Sequence, residues 1–268
     1  MKNTLKLGIC FLIFLIAFIS SFFKQVHTPD VKKEYRILLC LSSFKRPIFL
    51  SGQIDRLLNQ TYNKNKYDIS VSIKGSPNDS AFRNTFLREF EHFEKTGRVR
   101  IRFDKNKSQY ANLLDTMRDI DLDKYDIFCK IDDDDWYSRD YVAEVNRAFN
   151  TFTEDAFELS SSAYHEGFIL TEDIDQTYLN KNYTGLTGPT LCFSREIIKI
   201  AFEIEQNPSL IKKYIPEEGE GSFHRHEDRF LDHMARRNGS HIERSSPYPT
   251  VVYGWQYRSV IRNNNYVR

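Results

Sequence analysis

The chain has 268 residues, with 38 Lys+Arg balanced by 37 Asp+Glu. That length predicts one domain with at most a small appendage, since domains commonly run to ~100–200 residues. A net charge near zero provides no field to steer a polyanion, which excludes a histone-like or RNA-coating role. The 14% aromatic content and only 8 Pro exclude disorder as the main state.

Lys2 and Lys6 precede an uncharged run from Leu7 to Phe23, LGICFLIFLIAFISSFF. Its seventeen residues would reach roughly 25 Å as a helix, the short end of what spans a bilayer. A cleaved signal peptide would show small residues at alternate positions after the apolar core. Here Ala17, Ser20 and Ser21 are interleaved with Phe18 and Ile19, so residues 1–23 are read as an uncleaved, single-pass signal anchor. Lys24, Lys32, Lys33 and Arg36 on its far side leave its orientation open. Residues 24–34 are polar and read as a linker.

From residue 35 onward, strand-like and helix-like patterns alternate. Arg36–Leu41 is a short apolar run, expected as a buried strand. Pro47–Leu58 places Ile48, Leu50, Ile54, Leu57 and Leu58 at mostly helical spacing. Asp68–Ile73 alternates like a strand. Asp79 or Ser80 opens a helix with a Phe82, Phe86, Leu87, Phe90, Phe93 stripe, ending at Gly97. Val99–Phe103 alternates again. Ser108 opens a helix carrying Leu113, Leu114, Met117 and Ile120, and Tyr125–Ile131 is a fourth strand. This alternation predicts parallel βαβ units, with ligands beyond the carboxyl ends of the strands. The second half is less regular and richer in loops.

Cys10, Cys40, Cys129 and Cys192 each sit in an apolar run, and none forms a C-x-x-C pair. Setting aside Cys10 in the N-terminal apolar run, the other three are an odd number for a disulfide framework and are expected to be buried free thiols rather than zinc ligands.

Two constellations stand out. Asp132-Asp133-Asp134-Asp135 is expected directly after the fourth strand and is followed by Trp136-Tyr137. Adjacent carboxylates repel one another, so a hard cation, Mg²⁺ or Mn²⁺, is their natural counter-charge. A calcium loop does not fit: read from Asp133, Ser138 replaces the turn glycine, and a strand precedes where a helix should. The second is His224-Arg225-His226-Glu227-Asp228, opening a helix with Phe230, Leu231, Met234 and Ala235 on one face. Acidic residues suit a first helical turn for dipole reasons alone, but beside the glycine-bearing segment 216–222 a carboxylate could act as a general base. His226 and His233 are too far apart for H-E-x-x-H, which excludes a zinc protease.

In this order the segments resemble a family 2 glycosyltransferase with the GT-A fold, over roughly residues 35–260. Ser43, Phe44, Arg46 and Pro47 in LLCLSSFKRP fall on the family's strand followed by T-Y-N-R-P, with Lys45 in place of Asn. Asn106 and Ala111-Asn112 resemble its N-x-G…A-x-N segment, with Ser108 replacing the glycine. IDDDDWY is similar to D-x-D-D-W, TLCFSREII to the stretch before the acceptor helix, and Glu227-Asp228 to the E-D motif. Lys74 and Gly75 stand where the family often has an acidic residue for base recognition.

The resemblance implies an α/β GT-A-type nucleotide-binding sandwich with a mainly parallel sheet, which the membrane helix expected at residues 1–23 would precede. Residues 35–137 would be the nucleotide-sugar-binding half and 138–268 the acceptor and catalytic half. It implies a metal-dependent, inverting transfer of a sugar from a nucleoside-diphosphate sugar to a hydroxyl of a glycan or glycolipid. Asp134 and Asp132 would hold Mn²⁺ or Mg²⁺. Ser43, Phe44, Arg46, Asn112, Asp132 and Asp133 would bind the donor. Asp228 would be the catalytic base, with Glu227 as the alternative. Trp255, Tyr257 and Arg258 are weaker candidates for the acceptor site. No nucleic-acid partner is expected.

Other classes fit less well. A nucleotidyltransferase would open with a Gly-rich basic loop, and a sulfotransferase with a phosphate-binding loop, neither of which LSSFKRP supplies. A non-catalytic, membrane-anchored carbohydrate-binding module is the remaining alternative. The short Lys/Asn/Ile-rich chain suggests the cytoplasmic face of a bacterial inner membrane, where it would build a polysaccharide. A Golgi-type lumenal anchor fits the same topology, and N-x-[ST] sequons occur at Asn59, Asn78, Asn106, Asn182 and Asn238.

Overall fold

A computed structural model describes residues 33–44, 47–74, 84, 88, 90–104, 108–133, 135–150, 160–163, 167–170, 177–179, 191–218, 230–231, 233–234, 237, 240–242 and 251–253. All of them lie in the compact unit Lys33–Arg268. The expected anchor at 1–23 falls outside the described residues. Among those residues no helix is long and apolar enough to cross a membrane.

The first strand, β1 (Ile37–Phe44), is apolar on both faces until Ser42 and Ser43, as a strand covered on both sides must be. Helix α1 (Pro47–Leu58) follows, with the boundaries its apolar spacing predicts and proline in its first position, where no N–H is needed. It buries Leu50, Ile54 and Leu57. Strand β2 (Tyr67–Lys74) runs parallel to β1, and β3 (Val99–Asp104) runs parallel to β2. Of the expected stripe between β2 and β3, Phe90 and Phe93 are buried with ring centroids 5.8 Å apart. Phe82, Phe86 and Leu87 have no described side chains. Gly97 turns the chain at φ +70°, a conformation L side chains rarely adopt.

Ser108 caps α2 (Gln109–Met117), its hydroxyl accepting the Ala111 N–H at 3.1 Å. Ile120 was expected within this helix but lies beyond its end. Arg118 is extended, Asp119 turns at φ +61°, and the Arg102 guanidinium fixes that turn through the Arg118 carbonyl and the Asp119 carboxylate.

Strand β4 (Ile127–Asp132) returns to the other side of β1 and pairs with it in parallel. It starts two residues later than expected, because Leu122–Lys124 forms a 3₁₀ turn capped by Asp121 and closing on Tyr125. It also ends one residue later. Asp132 is the last residue of the strand, paired with Ser42, rather than the first of the following loop.

The sequence predicts few elements after β4, although the helices Tyr141–Phe149 and Arg195–Gln206 bury residues at helical spacing. Trp136–Tyr137 forms β5, and α3 (Tyr141–Phe149) buries Tyr141, Val142, Val145, Ala148 and Phe149. Strands β6 (Ser160–Ala163), β7 (Gly167–Leu170) and β8 (Thr177–Leu179) follow. Then come β9 (Cys192–Ser194), α4 (Arg195–Gln206), α5 (Ile211–Tyr214), β10 (Ser240–Ile242) and β11 (Val251–Tyr253). Among the described residues the main sheet has seven strands in the order β10-β6-β9-β4-β1-β2-β3, and β9 is antiparallel to both β4 and β6. A second, four-stranded sheet runs β5-β11-β7-β8.

The two faces of the main sheet bury separate cores. Ile37, Leu39, Leu41, Ile127, Cys129 and Ile131 pack with α1 and α3, whereas Leu38, Cys40 and Phe128 pack with α2 and α4. Cys40, Cys129 and Cys192 are buried free thiols, as expected. Burial pushes the Cys40 thiol up to about 12 and the Cys129 thiol well above its ordinary value, so neither is a reactive thiolate.

Candidate functional site

The strand order 4-1-2-3 places a topological switch between β1 and β4: the chain leaves β1 to one side through β2 and β3, then returns to the other through β4. In open α/β sheets the crevice beyond the carboxyl ends at such a point is where ligands bind. Here the adjoining ends are Ser42-Ser43 on β1 and Ile131-Asp132 on β4.

Side chains tie these ends together on both faces of the sheet. Ser43 donates its hydroxyl to the Asp133 carboxylate at 2.5 Å, and both are buried, Asp133 at 0% exposure. The Ser43 carbonyl accepts from the Asn112 side-chain amide at 3.5 Å, and the Asn112 side-chain oxygen accepts the Ser72 hydroxyl at 2.7 Å. Asn112 sits on the inner side of α2, so helix position fixes the ends of β1 and β2 together. Replacing Asp133 with Ala strands the Ser43 hydroxyl in the interior and is expected to cost about 1–3 kcal/mol of stability. Urea unfolding measures this, and a loss under about 0.5 kcal/mol, the range of an ordinary surface substitution, would contradict the role.

On the α2 face, which Ser72 and Asn112 share, the Lys130 ammonium bonds both oxygens of Asp132, at 2.8 and 3.0 Å. Lys130 is 4% exposed and Asp132 is 24% exposed, so the pair lies at the edge of the interior. The Asp132 backbone is also held: its N–H donates to the Tyr137 hydroxyl at 3.0 Å, and its carbonyl accepts from Gln53 of α1 at 3.1 Å. Downstream, Gln60 bonds the Ser138 carbonyl and the Val142 N–H, while the Thr61 N–H donates to the Arg139 carbonyl. The acidic segment is therefore clamped at both ends by α1 and the residues just after it. Asp135 is buried.

The acidic run thus does not present four equivalent carboxylates to one ion. Asp132 faces Lys130, and Asp133 faces Ser43 across the sheet. Carboxylate oxygens are the hard donors that Mg²⁺ and Mn²⁺ take, and Asp132 keeps lone pairs beyond those used by Lys130. Among the described residues, however, no group of three or more His, Cys, Asp or Glu side chains is placed to hold a metal.

Of the residues singled out by sequence, Ser43, Asn112, Asp132 and Asp133 come together at the switch point. Phe44 ends β1, with its side chain outside the described set. Arg46, Asp134, Glu227, Asp228, Trp255, Tyr257 and Arg258 lie outside the described residues. The structure adds Lys130, Gln53, Tyr137 and Ser72. Lys130 had a readable signal: a lysine inside a buried strand needs an acceptor, and the residue two positions on shares its face. Gln53 had none, because it acts through a backbone carbonyl 79 residues away, and Tyr137, five residues on, had none because its hydroxyl meets a backbone N–H rather than a side chain.

No protein-family model and no curated protein matches the chain. Solved structures do. Residues 1–349 of S. aureus TarS in complex with UDP align with a TM-score of 0.55 at 11% identity, covering 81% of this chain and 60% of that one. The same protein in complex with UDP-GlcNAc gives 0.53 at 11% identity, covering 81% of this chain and 58% of that one. The 4-diphosphocytidyl-2C-methyl-D-erythritol synthase of Anaerococcus prevotii gives 0.53 at 11% identity, covering 87% of this chain and 96% of that one. The chain therefore spans about three fifths of the TarS structures it matches. At such identities the likeness is one of fold alone: a mainly parallel α/β sheet of the GT-A-like kind.

Proposed function

We propose that the chain is a glycosyltransferase that moves a sugar from a nucleoside-diphosphate sugar to a hydroxyl of a glycan or glycolipid acceptor. The observation that carries this reading is the set of polar side chains fastened at the β1/β4 switch point, Ser43 on Asp133 and Lys130 on Asp132. An apolar core gains nothing from such groups, whereas a polar, anionic ligand at the crevice does. The likeness to a protein solved with UDP and UDP-GlcNAc supports the same class of donor.

In this reading Ser43, Phe44, Arg46, Asn112, Asp132 and Asp133 form the donor side. Asp134, with Asp132, would hold a divalent Mn²⁺ or Mg²⁺ ion. When bound, that ion supplies Lewis-acid neutralisation of the diphosphate leaving group. Asp228, with Glu227 as the alternative, takes the proton from the acceptor hydroxyl as that oxygen attacks the anomeric carbon. The nucleoside diphosphate departs from the opposite side, so a single displacement inverts the anomeric configuration. Trp255, Tyr257 and Arg258 are assigned to the acceptor side, where aromatic faces suit sugar rings. Residues 1–23 would anchor the enzyme to a membrane, the bacterial inner membrane on its cytoplasmic face being the favoured setting.

A second reading, nucleotidyl transfer, draws support from the likeness to an enzyme whose product carries a diphosphocytidyl group, of which the alignment covers 96%. The products separate the two. Glycosyl transfer releases a nucleoside diphosphate, or CMP from a CMP-sugar, whereas nucleotidyl transfer from a nucleoside triphosphate releases pyrophosphate. Phosphorus NMR of reactions with a panel of nucleotide sugars, and with nucleoside triphosphates plus sugar phosphates, decides between them. Pyrophosphate release alone would overturn the first reading.

A further inference from the structure

We infer that Lys130 is a positioning residue for nucleotide binding, acting through Asp132. This rests on the nucleotide-donor reading above and assigns a role within the same site to a residue outside the motifs that suggested it.

Taking an ammonium out of water is costly, and an apolar residue in its place would serve the fold at least as well. Lys130 nevertheless sits almost wholly inside, on the sheet face that buries Leu38, Cys40 and Phe128 with α2 and α4. Its backbone already has a structural task, the Lys130 N–H donating to the Leu191 carbonyl at 2.9 Å. Its side chain reaches along the strand to the residue two positions on, where both Asp132 oxygens accept from it. With the Asp132 backbone fixed by Tyr137 and Gln53, this second grip fixes the carboxylate plane as well.

Two consequences follow for an anionic ligand at the switch point. Each Asp132 oxygen keeps a lone pair, so a carboxylate of set direction can accept hydrogen bonds from ligand hydroxyls. Its negative charge is balanced locally, so it does not repel a diphosphate arriving beside it. Without Lys130 the carboxylate would rotate freely and carry an unbalanced charge into the crevice. At a separation of several ångströms that penalty corresponds to roughly a tenfold or greater loss of affinity.

The test is a double-mutant cycle on the full chain, read by calorimetric titration with UDP, GDP and CDP, each with and without Mn²⁺. Lys130→Met, Asp132→Asn and the double variant are compared with the wild type, with melting temperature recorded for each. The expected result is that either single change weakens the bound nucleotide about tenfold or more. The double variant then binds within about twofold of Asp132→Asn alone, because Lys130 has nothing left to position. Should Lys130→Met fail to fold, Lys130→Gln, which has no charge to bury, takes its place, and because Asp132→Asn leaves the buried Lys130 ammonium without its carboxylate it is compared only at temperatures where it stays folded. Losses that multiply in the double variant, or wild-type affinity in a folded Lys130→Met, would overturn the role of Lys130 while leaving the donor reading intact. Failure of the wild type to bind any of the three nucleotides would overturn both.

Discussion

Asp228→Asn is expected to lower glycosyl transfer about 10²–10⁴-fold while leaving nucleotide affinity within a few-fold of wild type. The substitution keeps the shape of the side chain and removes its ability to take a proton. The acceptor hydroxyl must then attack while still protonated, and the whole loss falls on the chemical step. Initial rates at saturating donor and acceptor measure kcat, and titration with the nucleotide product measures binding separately. A loss of kcat with unchanged nucleotide affinity places Asp228 on the acceptor side of the reaction. Wild-type turnover in Asp228→Asn, with a collapse in Glu227→Gln, would transfer the role of base to Glu227. Wild-type turnover in both variants would remove the E-D segment from the chemistry.

Phe193→Ala is expected to destabilise the fold by about 3–5 kcal/mol, the cost of emptying a buried aromatic site that surrounding side chains only partly refill. Phe193 is buried on β9, directly opposite Phe128 in the antiparallel β4–β9 pairing, and shares its core with Tyr110, Leu114 and Ile197. Strand β9 also covers the edge that β4 would otherwise expose, and β4 ends in Asp132. The same variant should therefore weaken nucleotide binding even at temperatures where it stays folded. Urea unfolding gives the stability change. A loss below about 1 kcal/mol would mean that β9 is not packed against β4 as described.

These two positions mark where sequence was informative and where it was not. The first four strands of the main sheet, with α1 and α2, were legible because each is a continuous apolar or amphipathic run ended by a recognisable signal. Pro47 starts α1, Ser108 caps α2, and Gly97 supplies the positive φ that turns the chain before β3. Strands β5 and β9 were not legible. They are two and three residues long, too short to display a period, and their pairing is set by contacts with β11 and β4 rather than by their own pattern. The antiparallel insertion of β9 into an otherwise parallel region has no local signature at all.

The candidate site divides in the same way. The resemblance drew attention to Ser43, Asn112, Asp132 and Asp133, and they meet at one switch point. What it did not convey is how the charges are distributed. Treated as four like charges, the acidic run called for a cation. In the fold, alternation along the strand separates neighbouring side chains to opposite faces, and the protein supplies its own cation to the first of them through Lys130. The extra residue of β4 matters for this reason: only with Asp132 in the strand do residues 130 and 132 share a face.

The measurement that bears most directly on the proposed activity is the release of nucleoside diphosphate, or of CMP, from a panel of nucleotide sugars incubated with the full chain. Parallel reactions contain Mn²⁺, Mg²⁺ or EDTA, with and without a pooled set of glycan and glycolipid acceptors. The expected result is release from one donor, sustained by a divalent ion, abolished by EDTA and lost in Asp134→Ala. Contradiction would be the absence of release from every donor, together with no nucleotide binding in the presence of either metal.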